Sequence, residues 1–185
     1  MTEPNRFTWL SRVLHWLTAA LVFAALFIGF VMVNSVGSHA QLVLVHKTLG
    51  ALILVVMVAR VINRVTHHPP AWPPTIGALE GRLVGLSEKL LYALLLLQPL
   101  VGWAMVSAAG GPVAVFGSLY LPRIAPFDAQ VYWFLRQAHS LIAYTLTAVI
   151  AAHISAVLLH TLTLRDRLLE RMTFRFRKKV DRSRA

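Results

Sequence analysis

Four long apolar runs divide the chain, at about 9–33, 41–62, 89–107 and 133–164. Crossing about 30 Å of hydrocarbon takes roughly 20 helical residues at about 1.5 Å each, so every run is long enough to span a bilayer. No Asp, Glu, Lys or Arg occurs between positions 13 and 46, and none between 137 and 164. The separators are of three kinds. A short polar turn occupies 34–39, and a Pro-rich stretch at 67–74 breaks the second helix. The segment 108–132 is apolar yet rich in Gly and Pro, and reads as an interfacial or re-entrant loop packed over the helices. Pro99 and Gly102 fall inside the third run, where Pro is tolerated because neighbours re-satisfy the freed backbone groups. The pattern predicts an all-α integral membrane four-helix bundle, a single membrane domain over 1–185 with a basic tail from 165.

Composition agrees with this, at 57% hydrophobic and 14% charged residues. A net charge of +11 raises nucleic acid as a partner, but that needs a basic face on a soluble body. Here the cations flank the apolar runs. Lys47 and Arg60, near the ends of the second run, read as side chains that snorkel to the two interfaces. With the N-terminus inside, one side of the membrane receives fifteen Lys and Arg and the other only Lys47, Arg123 and Arg136. That asymmetry predicts cytoplasmic N- and C-termini. The N-terminal run continues without a small-residue cleavage site, so it reads as a span and not as a secretory signal. In the tail, Leu168, Leu169, Met172, Phe174 and Phe176 interleave with basic residues, as expected of a segment lying on anionic lipid.

Cysteine is absent, which excludes disulfides, thiolate zinc sites, cysteine-ligated iron–sulfur clusters and a covalently attached haem. The chemistry then rests on histidine. His15, His46, His139 and His153 fall within the spans, where an ionisable group is costly and usually functional. Any one of them alone has a plainer reading, an interhelical hydrogen bond. Together their placement is more specific. His139 and His153 are fourteen residues apart, about 21 Å of helical rise, and return to nearly the same face. By depth, His15 pairs with His153 towards the cytoplasm and His46 with His139 towards the periplasm. Zinc or a two-metal site would want ligands clustered at one depth, often with carboxylates, and no Asp or Glu occurs in any span. Two separate His–His pairs suit two non-covalent haem groups, each taking only axial ligands from the protein. Gly50, four residues beyond His46, and more weakly Gly29, open space for such a ring or serve helix packing. Arg12, one turn before His15, pairs with a haem propionate or anchors the inner face. Trp16 is a belt residue or a packing neighbour of the ring. His39, His67 and His68 fall in turns and loops, and His160 at the inner end of the last span reads as interfacial.

At this point the chain resembles the bacterial cytochrome b561 family. The matching pieces are Arg12 to Trp16, His46 to Gly50, Phe116-Gly117 with Leu121-Pro122, and His139 to His153 ahead of Arg165-Asp166-Arg167. The resemblance spans nearly the whole chain. It implies a di-haem b-type cytochrome of the bacterial inner membrane, with His15, His46, His139 and His153 as axial ligands. Members often carry paired histidines after the last ligand, whereas here Leu159-His160-Thr161 keeps one. Some relatives resemble superoxide oxidases that pass electrons to ubiquinone, and Lys47, Arg123 and Arg136 are then candidates for attracting the anion, or ordinary surface charge. Related cytochromes serve as membrane subunits of hydrogenases or formate dehydrogenases. A metal or small-molecule transporter fits less well, since intramembrane carboxylates and an inverted repeat are lacking. The expected partners are the lipid bilayer, quinone and a periplasmic donor such as superoxide, with no nucleic acid. A stand-alone subunit is the simplest expectation.

Overall fold

The computed structural model describes residues 6–35, 37–67, 69–71, 76–166 and 168–174. His68 and the tail from 175 onward, Phe176 included, lie outside the described residues.

Four helices long and apolar enough to cross a membrane form an all-α bundle: α1 (Trp9–Asn34), α2 (His39–Thr66), α3 (Ala78–Ala108) and α4 (Ala129–Leu158). Three of the four starts have a side-chain cap, the exception being α2 at Ser38. The Thr8 hydroxyl accepts from Ser11 N at α1, and Asp128 Oδ1 accepts from Gln130 N and Val131 N at 2.8 and 2.9 Å at α4. At α3 the Glu80 carboxylate reaches back to Gly77 N at 3.3 Å. This helix begins well before the apolar run at 89, because residues 78–88 form an amphipathic extension carrying Glu80, Arg82 and Glu88. The far end of α4 passes into a π-helical turn, Leu159–Leu164, closed by Arg165 in the left-handed region at φ 55°.

The segment expected as an interfacial or re-entrant loop contains a small antiparallel hairpin. Val113–Val115 (β1) pairs with Leu119–Leu121 (β2), in the register Val113 to Leu121. Phe116 and Gly117 turn it with φ of 50° and 77°. A single bond from Phe116 N to the Thr48 hydroxyl, 3.1 Å, ties the turn to α2. Trp103 Nε1 donates to Pro122 O at 2.8 Å and fixes the other side to α3.

The main helix–helix packing runs α1 on α2, α2 on α3 and α3 on α4. The buried apolar layer comprises Val22 and Ala25 of α1, Ile53 and Met57 of α2, Leu94 and Leu95 of α3 and Leu146 of α4. Outward-facing Phe23, Phe27, Phe30, Val55, Leu97, Phe134 and Tyr144 are exposed, as side chains facing acyl chains must be. The core layer has a position that matters for function. Ile53 follows His46 by seven residues, and Leu146 stands midway between His139 and His153. The apolar layer therefore separates two histidine levels.

Candidate functional site

At the hairpin end, α2 and α4 bring His46 and His139 together. Their ring centroids are 6.2 Å apart, with planes at 79°. Two glycines make room for them. A Cβ on Gly29 would stand 3.2 Å from His46 Cε1, and one on Gly102 would stand 3.0 Å from His139 Cε1. Both Nδ1 atoms are buried without a hydrogen bond of acceptable geometry, although the Ala25 and Gln98 carbonyls approach the respective rings. Gln98 also uses its side chain here, donating Nε2–H to His139 O at 3.1 Å and standing 3.2 Å from His139 Nε2. Nothing lies within 4 Å of a Cβ on Gly50, which faces open space.

At the opposite end, where Phe7 N donates to Arg171 O, His15 of α1 and His153 of α4 lie within electrostatic reach of one another. Trp16 meets the His15 ring edge-on at 5.5 Å, and its Nε1 donates to Met172 O at 3.0 Å. Arg12 turns to the C-terminal segment, donating to Thr173 O at 3.1 Å and lying over the Phe174 ring. Arg60 does not snorkel outward. Its guanidinium turns into the bundle, 5.0 Å over the Tyr92 ring and 3.5 Å from His15 Nδ1, and it reaches His153 electrostatically. Beside it opens a cavity of about 340 Å³, whose polar lining includes Arg6, Arg60, Asn63, Arg64, Glu88 and Tyr92.

A fourteen-residue interval organises both levels. It separates His139 from His153 on α4, His46 from Arg60 on α2, His15 from Gly29 on α1, and Glu88 from Gly102 on α3. Fourteen residues are nearly four helical turns, about 21 Å, so each helix presents one residue of every pair to each level on nearly one face. Sequence reading singled out this interval on α4 alone.

The remaining histidines have other partners. His39 Nδ1 donates to Met32 O at 3.1 Å, and His67 Nδ1 to Asn63 O at 3.2 Å. His160, read as interfacial, is instead 8% exposed. It is held between Glu80, 2.8 Å from Nε2, and Asp166 at Nδ1, and so joins the start of α3 to the π-helical end of α4. Of the cations at the hairpin end, Arg123 donates to Gly110 O at 2.9 Å and Arg136 to the Tyr132 hydroxyl at 3.4 Å.

The residues fit a bis-imidazole macrocycle. Two metal–imidazole bonds of about 2 Å, plus half a ring on each side, span about 6 Å between centroids, close to the His46–His139 separation. Among the described residues α4 packs mainly on α3 and makes no comparable contact with α1 or α2, so both pairs bridge a gap between helices. Neither pair is joined by a third ligand, and no cluster of three metal-binding side chains occurs among the described residues. Gln98 Nε2 stands 3.2 Å from His139 Nε2, an atom that a haem iron would take.

The family described as prokaryotic cytochrome b561 matches residues 6–175. Cytochrome b561 homolog 2 of Escherichia coli K12 is 28% identical over 173 residues, covering 91% of this chain and 92% of the relative. Cytochrome b561 homolog 1 of the same organism is 26% identical, covering 91% and 97%. A protein of Yersinia pestis named probable superoxide oxidase CybB is also 26% identical, covering 91% and 96%. The chain belongs to the prokaryotic cytochrome b561 family, as a multi-pass membrane cytochrome of the bacterial inner membrane for which that family implies haem b.

Proposed function

We propose that the chain holds two haems, one at His46 and His139 and one at His15 and His153, and moves electrons from a periplasmic donor to the quinone pool. The observation that carries this reading is the stacking of two histidine levels in one bundle, with the outer rings 6.2 Å apart and an apolar layer between the levels. A haem held at each level by His46 and His139 or by His15 and His153 would supply one-electron redox chemistry, and two imidazoles on it would favour electron transfer over oxygen binding.

The residues of the chain do the rest. The two imidazole pairs fix the levels about 21 Å apart along α4. Gly29 and Gly102 let the outer rings stand upright, and the open face at Gly50 leaves room for a ring edge. Arg12 adds positive charge near the inner pair. Val22, Ile53, Met57 and Leu146 exclude water between the levels. With both termini cytoplasmic, Lys47, Arg123 and Arg136 lie on the outer side and raise the local concentration of a small anion. Superoxide is such an anion, and the name of the Yersinia pestis relative agrees with it. Two superoxide ions lose one electron each and leave as oxygen, while one quinone takes two electrons and two protons to become quinol.

Stopped-flow mixing of the oxidised protein with enzymatically generated superoxide tests the donor. Growth of the reduced haem band, abolished by superoxide dismutase and reversed by a short-chain ubiquinone, is expected. Reduction only by a protein donor would overturn superoxide and point to a membrane subunit of a larger complex.

A further inference from the structure

Arg60 is an arginine in a membrane helix with no carboxylate partner among the described residues. The neighbouring Glu88 is held by Arg64 at 2.9 Å. At 3.5 Å the approach to His15 Nδ1 is too long to count as a firm hydrogen bond, which leaves the guanidinium stacked on Tyr92. A cation at this depth is costly without an anion, and five donors in a fixed fork suit a carboxylate in particular. The position is set by the helix itself. Arg60 follows His46 by fourteen residues, so the helix that gives a ligand to the outer level gives a cation to the inner one. Its guanidinium stands 3.5 Å from His15 Nδ1, which places it at the edge of the inner level. Arg12, the cation nearest His15 in sequence, is engaged with Thr173 and Phe174 instead.

We infer that Arg60, with Tyr92 beneath it and the cavity lined by Arg6 and Asn63 beside it, is the carboxylate-binding site for the propionates of the inner haem. This rests on the two-haem reading above. Arg60 acts as a positioning and tuning residue: its charge neutralises the propionate and favours the reduced form of the nearby centre. The same guanidinium chemistry would also take a phosphate from an anionic lipid headgroup, so the test separates the two.

The full chain is reconstituted in nanodiscs of phosphatidylcholine alone, and in parallel with phosphatidylglycerol added. Haem-to-protein ratio and both midpoint potentials are measured for wild type, Arg60→Gln, Arg60→Lys and, as a remote cytoplasmic cation, Arg82→Gln. Propionate bending modes are read by resonance Raman. The expected result is a fall in one of the two potentials for Arg60→Gln in both lipids, with a shifted propionate mode. Arg60→Lys restores most of the potential, and Arg82→Gln stays at the wild-type values. Unchanged potentials and propionate modes in Arg60→Gln would overturn the assignment. So would an effect seen only with phosphatidylglycerol, which would make the cavity a lipid-phosphate site. If Arg60→Gln loses one haem, Arg60→Lys decides: two retained haems support the site, and loss there too overturns it. A wild-type protein with fewer than two haems refutes the underlying two-haem reading, not this contact.

Discussion

Replacing Gly102 with alanine perturbs the outer pair through a single methyl group. The added Cβ would stand 3.0 Å from His139 Cε1 and 3.3 Å from Nδ1. Carbon atoms in ordinary contact sit about 3.5–4.0 Å apart, so the ring or α3 must give by about half an ångström or more. Overpacking of this kind costs about 1–3 kcal/mol. Expressed at the ligand, that weakens haem retention at the outer level about 5- to 150-fold, at about 1.4 kcal/mol per factor of ten. The helix itself moves the other way, since Ala is favoured over Gly in a helix interior by up to about 1 kcal/mol. The variant should thus lose one haem selectively while the unloaded fold is not weakened. Haem transfer to an excess of a haem-scavenging protein, followed in the Soret band, reads the retention, and thermal unfolding in detergent reads the fold. Gly29→Ala, with its Cβ 3.2 Å from His46 Cε1, should show the same effect more weakly. Gly85→Ala, with nothing within 4 Å, should show none. Equal haem retention in wild type and Gly102→Ala would refute the argument that this glycine exists to seat the ligand.

Two further perturbations test contacts that sequence reading did not find. His160→Ala removes the partner of Asp166 Oδ2, leaving Leu168 N on Oδ1 of a side chain that is 2% exposed, and should lower stability by about 1–3 kcal/mol in thermal unfolding. Adding Asp166→Asn should recover much of it, and failure to recover would show that the pair is not what holds the π-helical end. Arg171→Ala removes the donors to Pro70 O and Ala71 O at 2.9 and 2.8 Å, each charge-assisted bond contributing about 1.5–3 kcal/mol. Hydrogen exchange at the Ala71 amide and over 168–174 should speed up by at least tenfold, and unchanged exchange would show that Arg171 does not clasp the two segments.

The helices were legible because apolar runs of this length have few other uses, and α1, α2 and α4 follow them closely. The early start of α3 was less so, because Glu80, Arg82 and Glu88 interrupt the apolar pattern with charges that only tertiary partners explain. The hairpin at Val113–Leu121 was read as an interfacial or re-entrant loop: its strands are three residues each, and Phe116 takes a positive φ that no propensity for Phe suggests. For the site, depth along each helix suggests the pairs His46 with His139 and His15 with His153, and the structure sets the first two rings 6.2 Å apart. Arg60 was read as a snorkelling interfacial cation because its partner Tyr92 is on another helix, and nothing local shows which way a long side chain turns. Gln98 drew no notice for the same reason. The fourteen-residue interval was the available signal for Arg60, visible on α2 once His46 is taken as a reference.

The central claim is that four histidines hold two haems at two levels. A pyridine haemochrome assay on the purified protein, with the dithionite-reduced minus oxidised spectrum, tests it most directly. The account predicts two b-type haems per chain in the wild type, and one in each of His139→Ala and His153→Ala with different residual spectra. One haem per chain in the wild type, or two in either variant, would contradict it.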